Sequence, residues 1–370
     1  PMNFTADVRA DGCDIWGGTQ SQTWALGAAM RITGLPAEKI NVHTTLLGGG
    51  FGRRAEVDFV VEAIQASKAV GAPVKVVWTR EDDIQHDFYR PGSYNKFTGG
   101  LDASGKLVAW LHRTSSASIF AAHGFGNPPV DDAAVEGAKD LPYLIPNLRV
   151  EWGHVEPGIP VGFWRSVGHS HTAFTTECFL DEMAHAAGHD PYALRMAMLP
   201  EGRHRRVLEL AATKAGWGKP LIEGHFRGIA QQESFNSFVA QVAEVSVADD
   251  GTVRVHKIVC AIDCGPTVNP DTIEAQMQSC IAYGLTAAFK GEITFDRGRV
   301  VQRNFHDYQI LRMNEMPAVE VYIVPSTDAQ GGVGEPGTPP VAPAVCNAIF
   351  AATGKRIRQL PIRTADLRRA

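Results

Sequence analysis

Apolar residues recur every three or four positions in some stretches of the chain and alternate with polar ones in others, and the two periods mark its elements. Residues 1–31 read as irregular, with a turn over Trp16–Gln20 and a helix from about Ser21. Asn41–Leu47 alternates β-branched and polar residues and predicts a strand. Val57, Val60, Val61 and Ile64 then share one helix face; Gly71 and Pro73 end that helix, and Val74–Trp78 predicts a second strand. Asp102-Ala103-Ser104-Gly105, between Gly99–Leu101 and Lys106–Trp110, is a hairpin signal. Ala117–Pro146 reads as loop and Arg149–Trp152 as strand. Helices are predicted over Ser170–Ala187, from Asp190-Pro191 through Met198, and over Arg205–Ala215. From Gly224 the pattern is mostly β, with hairpins at Ala248–Gly251 and Asp296–Gly298 and an apolar helix, Thr272–Phe289, between them. A last helix, Val341–Thr353, stops at Gly354. Strands and helices mix without strict alternation, which predicts an α+β fold, and Pro157, Gly158 and Pro160 place a domain boundary near residue 157.

Composition narrows the function only a little. A chain of 370 residues is long enough for two domains, and 44% apolar with 20% charged content suits an ordinary globular core. A net charge of −5 without a basic run argues against a nucleic-acid partner. No apolar stretch approaches the ~20 residues that cross a bilayer. The chain opens Pro1-Met2-Asn3-Phe4, without an initiator Met or a signal-peptide pattern, so a fragment or a processed chain is expected. The six cysteines are scattered with no CxxC pair, which predicts buried thiols instead of a disulfide, zinc or iron–sulfur framework.

Two glycine-rich stretches carry the candidate chemistry. Gly331–Pro340 holds one ionisable residue, Glu335, among four glycines and three prolines. Such a loop is stiff and bare, and a carboxylate desolvated in it is a usable general base near neutral pH; the alternative is a solvated loop glutamate. Gly48–Gly52 lies between a predicted strand and a predicted helix, where backbone amides and a helix dipole favour an anionic group. Its spacing departs from G-x-G-x-x-G because Arg53 takes the third glycine's place, so a dinucleotide fold is disfavoured. Arg165, in Phe163-Trp164-Arg165-Ser166, is either a domain-boundary anchor or a permanent charge for an oxyanion or phosphate. His169, His171, His185 and His189 read as solvated or capping residues, not metal ligands, and no G-x-S-x-G elbow is present.

Together these segments resemble the molybdenum-binding large subunit of the xanthine dehydrogenase/aldehyde oxidase family, most closely its isoquinoline 1-oxidoreductase beta-subunit branch. The resemblance runs in order through Thr19-Gln20, Gly48–Gly52, Trp164-Arg165-Ser166, Asp263-Cys264-Gly265 with Asn269-Pro270, Gln276–Gly284 and Gly332–Pro336. It implies two molybdopterin-binding domains, residues 1–157 forming part of the first and 158–370 the second. It also implies a hydroxylase that puts a water-derived oxygen on an N-heterocycle or aldehyde carbon, with Glu335 as the base toward a metal-bound hydroxyl. The metal is then held by the pterin dithiolene and not by side chains. Phe51, Arg165 and Cys280 would lie near it, and Gln20, Gly49, Gly50, Gly52, Gln276, Ser279 and Gly334 would hold the cofactor, expected as molybdopterin cytosine dinucleotide.

The resemblance has further consequences. Ala55 stands where purine hydroxylases carry glutamate, against a purine substrate. An earlier molybdenum-contacting segment would lie upstream of Pro1, so a separate chain or segment is expected to supply it. With no iron–sulfur pattern in this chain, a partner subunit carrying [2Fe-2S] clusters is expected to take the electrons, with a cytochrome c beyond it. Two other readings stay open: a nicotinamide-dependent dehydrogenase using Gly48–Gly52, and a cofactor-free scaffold subunit. The second is favoured by Ser279-Cys280, where relatives usually carry glycine or alanine.

Overall fold

The computed structural model describes residues 1–126 and 128–368. Short alternations at the start of the chain, too brief to stand out in sequence, form strands β1 (Asn3–Val8) and β2 (Cys13–Gly17) where an irregular segment was expected. Phe4, Ala6, Cys13 and Ile15 point from them into one core. Helix α1 (Gln22–Thr33), strand β3 (Ile40–Thr44), helix α2 (Asp58–Val70) and strand β4 (Val74–Val77) follow. The sheet order is β3-β2-β1-β4, with β1 antiparallel to β2 and β4 and β2 parallel to β3. The helices close it with Ala25, Ala29, Phe59, Val60, Ala63 and Ile64. A 3-10 turn, Arg53–Ala55, separates the glycine cluster from α2, so no α-helix starts at those glycines and the expected dipole lies elsewhere.

A short helix, α3 (Arg80–Gln85), opens with a Thr79–Asp82 capping box, a signal the apolar periodicity does not carry. Strands β5 (Ser93–Leu101) and β6 (Leu107–Ser116) form the expected hairpin, each running further from the turn than predicted. The loop-rich segment contains two one-turn helices, α4 (Ile119–Ala122) and α5 (Asp132–Val135), before β7 (Asn147–His154) pairs parallel with β6.

The remaining chain builds a sheet with helices on both faces. Helices α6 (His169–Ala186), α7 (Pro191–Met198) and α8 (Arg203–Ala215) precede strands β8 (Phe226–Ser234), β9 (Ser237–Val247) and β10 (Val253–Asp263). Helix α9 (Pro270–Phe289), strand β13 (Ala318–Ile323) and helices α10 (Val341–Thr353) and α11 (Thr364–Leu367) complete it, while the two-residue strands β11 (Phe295–Asp296) and β12 (Arg299–Val300) pair with each other in a separate antiparallel sheet. The order β13-β10-β9-β8 is antiparallel except for the parallel β10–β13 edge. Because successive strand residues point to opposite faces, Ile258, Cys260 and Ile262 enter a core with α9 and α10, while Val259 and Ala261 enter one with α6, α7 and α8. That double burial explains the unbroken apolar run in β10. Gly228 lets α10 lie directly on β8: a Cβ there would sit 2.1 Å from the Ala348 nitrogen.

Candidate active site

The site forms where the glutamate loop, the start of α6, one face of α9 and the glycine turn meet. The loop between β13 and α10 is fixed by contacts only glycine permits. A Cβ on Gly331 would fall 2.2 Å from the Asn236 carbonyl oxygen, and one on Gly337 2.8 Å from both the Cys280 Cβ and the Met277 sulfur. Glu335 is thereby held half-buried, with one side open, where the sequence suggested a dry carboxylate. Its Oε1 accepts the Ser166 backbone N–H at 2.9 Å, and its carbonyl oxygen accepts the Ser166 hydroxyl at 2.8 Å. Ser166 and Val167 reach this arrangement with φ of 73° and 46°, strained values for residues with a Cβ.

Arg165 is 2% exposed and spends its donors inside the protein. Nε donates to the Gly334 carbonyl at 2.9 Å, Nη1 to Ser279 Oγ at 3.0 Å and Nη2 to Gln276 Oε1 at 3.0 Å. One guanidinium therefore ties the glutamate loop to α9, using its planar fork. Its aromatic neighbours are Phe51 and Tyr283, each ring centroid 5.5 Å away, and not the adjacent Phe163 and Trp164. Phe51 stacks on Tyr283 at 5.1 Å, which brings the glycine turn onto α9. Trp164 instead carries the guanidinium of Arg90 at 4.9 Å. Cys280 is buried, its thiol pushed up by burial, and its sulfur lies 3.6 Å from the Gly334 oxygen.

The glycine turn is shaped by two close approaches. Gln20 Oε1 accepts the Gly52 N–H at 3.1 Å. A Cβ on Gly50 would come within 2.2 Å of that same Gln20 oxygen, and one on Gly52, where φ is 92°, within 2.2 Å of the Phe163 carbonyl. The N–H groups of Gly49, Gly50 and Phe51 meet no acceptor among the described residues, and nothing approaches the Cβ directions of Gly48 and Gly334. Unpaired amides, a bare backbone and a cationic anchor suit an anionic, phosphate-bearing cofactor. Among the described residues no three His, Cys, Asp or Glu side chains are grouped to hold a metal.

Every residue expected at the site from sequence falls within this junction, with Gly49 on its exposed lip. The histidines divide differently than expected. His169 and His171 are buried in the first turn of α6, where burial pushes both down to about 4, while His185 and His189 are exposed. Phe51 and Trp164 line a cavity of about 1250 Å³ together with Arg90, Ser279, Tyr283 and Tyr308. Phe235 lies apart from that cavity, its ring 6.0 Å from His169.

Sequence reasoning missed Tyr283 and Glu136. Tyr283 could have been found, since it lies four residues after Ser279 and seven after Gln276 on one face of α9. Glu136 sits after α5 in the loop-rich segment and gave no signal. Its Oε1 accepts the Gly168 N–H at 2.7 Å, and its Oε2 lies 3.7 Å from His169 Nε2. Burial, and then the nearby charge of Glu335, pushes its carboxyl up to about 7.

Comparison with known proteins agrees with this geometry. The sequence pattern of a molybdopterin cofactor-binding domain matches residues 1–199, and that of a second such domain matches residues 179–317. The chain is 32% identical over its full length to the membrane-bound aldehyde dehydrogenase [pyrroloquinoline-quinone] of Gluconacetobacter polyoxogenes, covering 52% of that protein. It is 31% identical over 99% of its length to the isoquinoline 1-oxidoreductase subunit beta of Brevundimonas diminuta, covering 48% of it. It thus spans about half the length of these curated relatives. Quinoline 2-oxidoreductase from Pseudomonas putida 86 superposes with a TM-score of 0.85 at 14% identity, over 98% of this chain and 73% of that one. The aldehyde oxidoreductase of Desulfovibrio gigas also gives 0.85 at 15% identity, over 100% and 59%. The two matched domains, the first over more than half of the chain, and relatives above 30% identity along its length lead to one conclusion: the chain belongs to the molybdopterin-binding domains of the xanthine dehydrogenase/aldehyde oxidase family.

Proposed function

We propose that this chain is the molybdopterin-binding part of a hydroxylase that adds a water-derived oxygen to an N-heterocycle or aldehyde carbon. The observation that carries the reading is the convergence of Glu335, Arg165 and the bare glycine turn on one junction. The first unit, ending near residue 157, contributes the turn, and the second contributes Arg165, α9 and Glu335. The amides of Gly49, Gly50 and Phe51, with Gln20, Gly52, Gln276 and Ser279, would hold the pterin and its phosphates, expected as the cytosine dinucleotide. Gly334 would also hold the cofactor, and Phe51, Arg165 and Cys280 would lie near its metal. The bound cofactor supplies the oxygen-transfer and two-electron chemistry that no side chain here offers.

The protein residues prepare that chemistry. Ser166 N–H fixes Oε1 of Glu335, which leaves Oε2 to receive a proton. Arg165 holds Gly334, and so the orientation of the next residue, against α9. Hydroxylation of R–H by water releases two protons and two electrons. Glu335 takes the first proton, and the electrons leave through an iron–sulfur partner subunit, with a cytochrome c as onward acceptor. A separate chain or segment supplies the upstream part of the large subunit.

A rival cofactor stands in the name of one relative, pyrroloquinoline quinone. Metal and quinone analysis of the assembled complex, purified with its native partners, separates the two. The proposal expects stoichiometric molybdenum, extractable cytosine dinucleotide and turnover of an aldehyde or N-heterocycle with an artificial acceptor. Bound quinone without molybdenum, or a requirement for a nicotinamide, would overturn it.

A further inference from the structure

A base that accepts a proton in each turnover must lose it before the next, and the turn that orients Glu335 also holds a second carboxyl. Ser166 N–H donates to Glu335 Oε1 at 2.9 Å, and two residues on Gly168 N–H donates to Glu136 Oε1 at 2.7 Å. The approach of Glu136 is built in: a Cβ on Gly168 would lie 2.7 Å from the Glu136 Cγ and 2.3 Å from the Ala133 carbonyl oxygen, so only glycine admits both. Behind Glu136 the polar contacts continue. Its Oε2 lies 3.7 Å from His169 Nε2, whose other ring nitrogen is 3.1 Å from the Gln232 amide. The Glu136 side chain is 26% exposed, giving it an outlet to solvent.

Resting on the hydroxylase reading above, we infer that Glu136 is the proton-relay carboxyl of this site: it takes the proton from Glu335 and releases it to solvent. The O–H bond on the Glu335 carboxyl breaks as one forms on the Glu136 carboxylate, the proton passing through water between them, and Glu335 returns to the carboxylate that its base role needs. Charge sets the direction of coupling. Glu136 feels the charge of the Glu335 carboxylate in the loop before α10 and lies beside His169 of α6, with Asp131 and Lys139 on its own segment. His169 is neutral at pH 7, since burial pushes it down to about 4. Burial is the main cause that raises Glu136 to about 7, and Glu335 and Asp131 raise it further against Lys139. A relay works best when its affinity for a proton matches the surrounding pH.

The test uses the assembled complex in both cofactor-free and loaded forms. In the cofactor-free complex, pH-difference infrared spectroscopy should show a buried protonated carboxyl titrating near pH 7 that Glu136→Gln removes. Glu335→Gln should move that midpoint to lower pH, because a neighbouring negative charge is gone. This arm leaves Glu136 in place and decides the coupling even if E136Q folds poorly. In the loaded complex, E136Q should slow kcat by about tenfold or more. KM should stay within about twofold, and small exogenous weak acids should restore part of the lost rate, as they would not for a packing defect. Wild-type turnover in E136Q, loss of rate without rescue, or a carboxyl band unmoved by E335Q would each overturn the relay. An inactive, molybdenum-free complex would sink the hydroxylase reading instead, and the infrared arm would still decide on the pairing of the two carboxyls.

Discussion

At the residue scale, Arg165 does work a lysine cannot. It joins Gly334, Ser279 and Gln276 from one buried plane, and a single ammonium cannot reach all three acceptors. Arg165→Lys should therefore lower unfolding stability by about 3 kcal/mol, from lost charge-assisted bonds and stranded acceptors. It should also loosen the grip on molybdenum. Urea denaturation and metal content after gel filtration read the two effects separately. Gly50→Ala should behave differently. The atom it meets is the end of the flexible Gln20 side chain, so the protein should fold while Gln20 swings away from Gly52 and cofactor retention falls. The crowding around Glu335 and at the glycine turn was legible in sequence because glycine and proline are needed where backbones crowd. Ser166 was not legible as a donor, because nothing in a serine codon announces a backbone at φ 73°.

At the element scale, close packing of α10 on β8 and a buried polar knot under α6 hold the site's frame. A methyl at position 228 would strike backbone, 2.1 Å from the Ala348 nitrogen and 2.3 Å from the Ala344 oxygen, and neither can rotate away. Gly228→Ala should therefore push α10 off the sheet and yield little soluble protein, measured as the recovery of folded complex. In the knot, Glu177 accepts from Arg195 Nε at 3.0 Å, from Tyr143 OH at 2.6 Å and from the Gln231 N–H at 3.0 Å, linking α6, α7, the segment before β7, and β8. Both charges are fully buried. Glu177→Gln leaves Arg195 without its counter-charge and should cost about 3–5 kcal/mol in a denaturant titration. The main helices were readable from their periodicity and stops; α10 spans Val341–Thr353 as expected. Strands β1, β2 and β13 were not, because each is a short alternation of six residues or fewer.

At the scale of the whole molecule, protonation couples the folded state to pH. Burial pushes His112, His169, His171 and His204 down to about 4 from an ordinary 6.5. The unfolded chain thus binds more protons than the native one between pH 6.5 and about 4, and these groups make stability fall as pH drops through that window. Glu136, raised from 4.5 to about 7, and Asp87, raised from 3.8 to about 6 by burial, act oppositely, since the native state holds their protons more tightly. Four groups against two leave a net loss of stability on acidification. Replacing His171 with Gln should flatten the fall of the thermal midpoint between pH 6.5 and 4. The arrangement of four sheets among the described residues was not accessible to periodicity, which gives elements without their partners. The junction it creates is where residues from Gln20 to Glu335 become one site.

The claim that most needs testing is that Glu335 acts as a base beside a cofactor held by the rest of that junction. Turnover and molybdenum content of the assembled complex, wild type against Glu335→Gln, test it most directly. The glutamine keeps the Ser166 bond and the loop, so molybdenum should remain at the wild-type level while turnover falls by about a hundredfold or more. Wild-type turnover in the loaded variant would contradict the account.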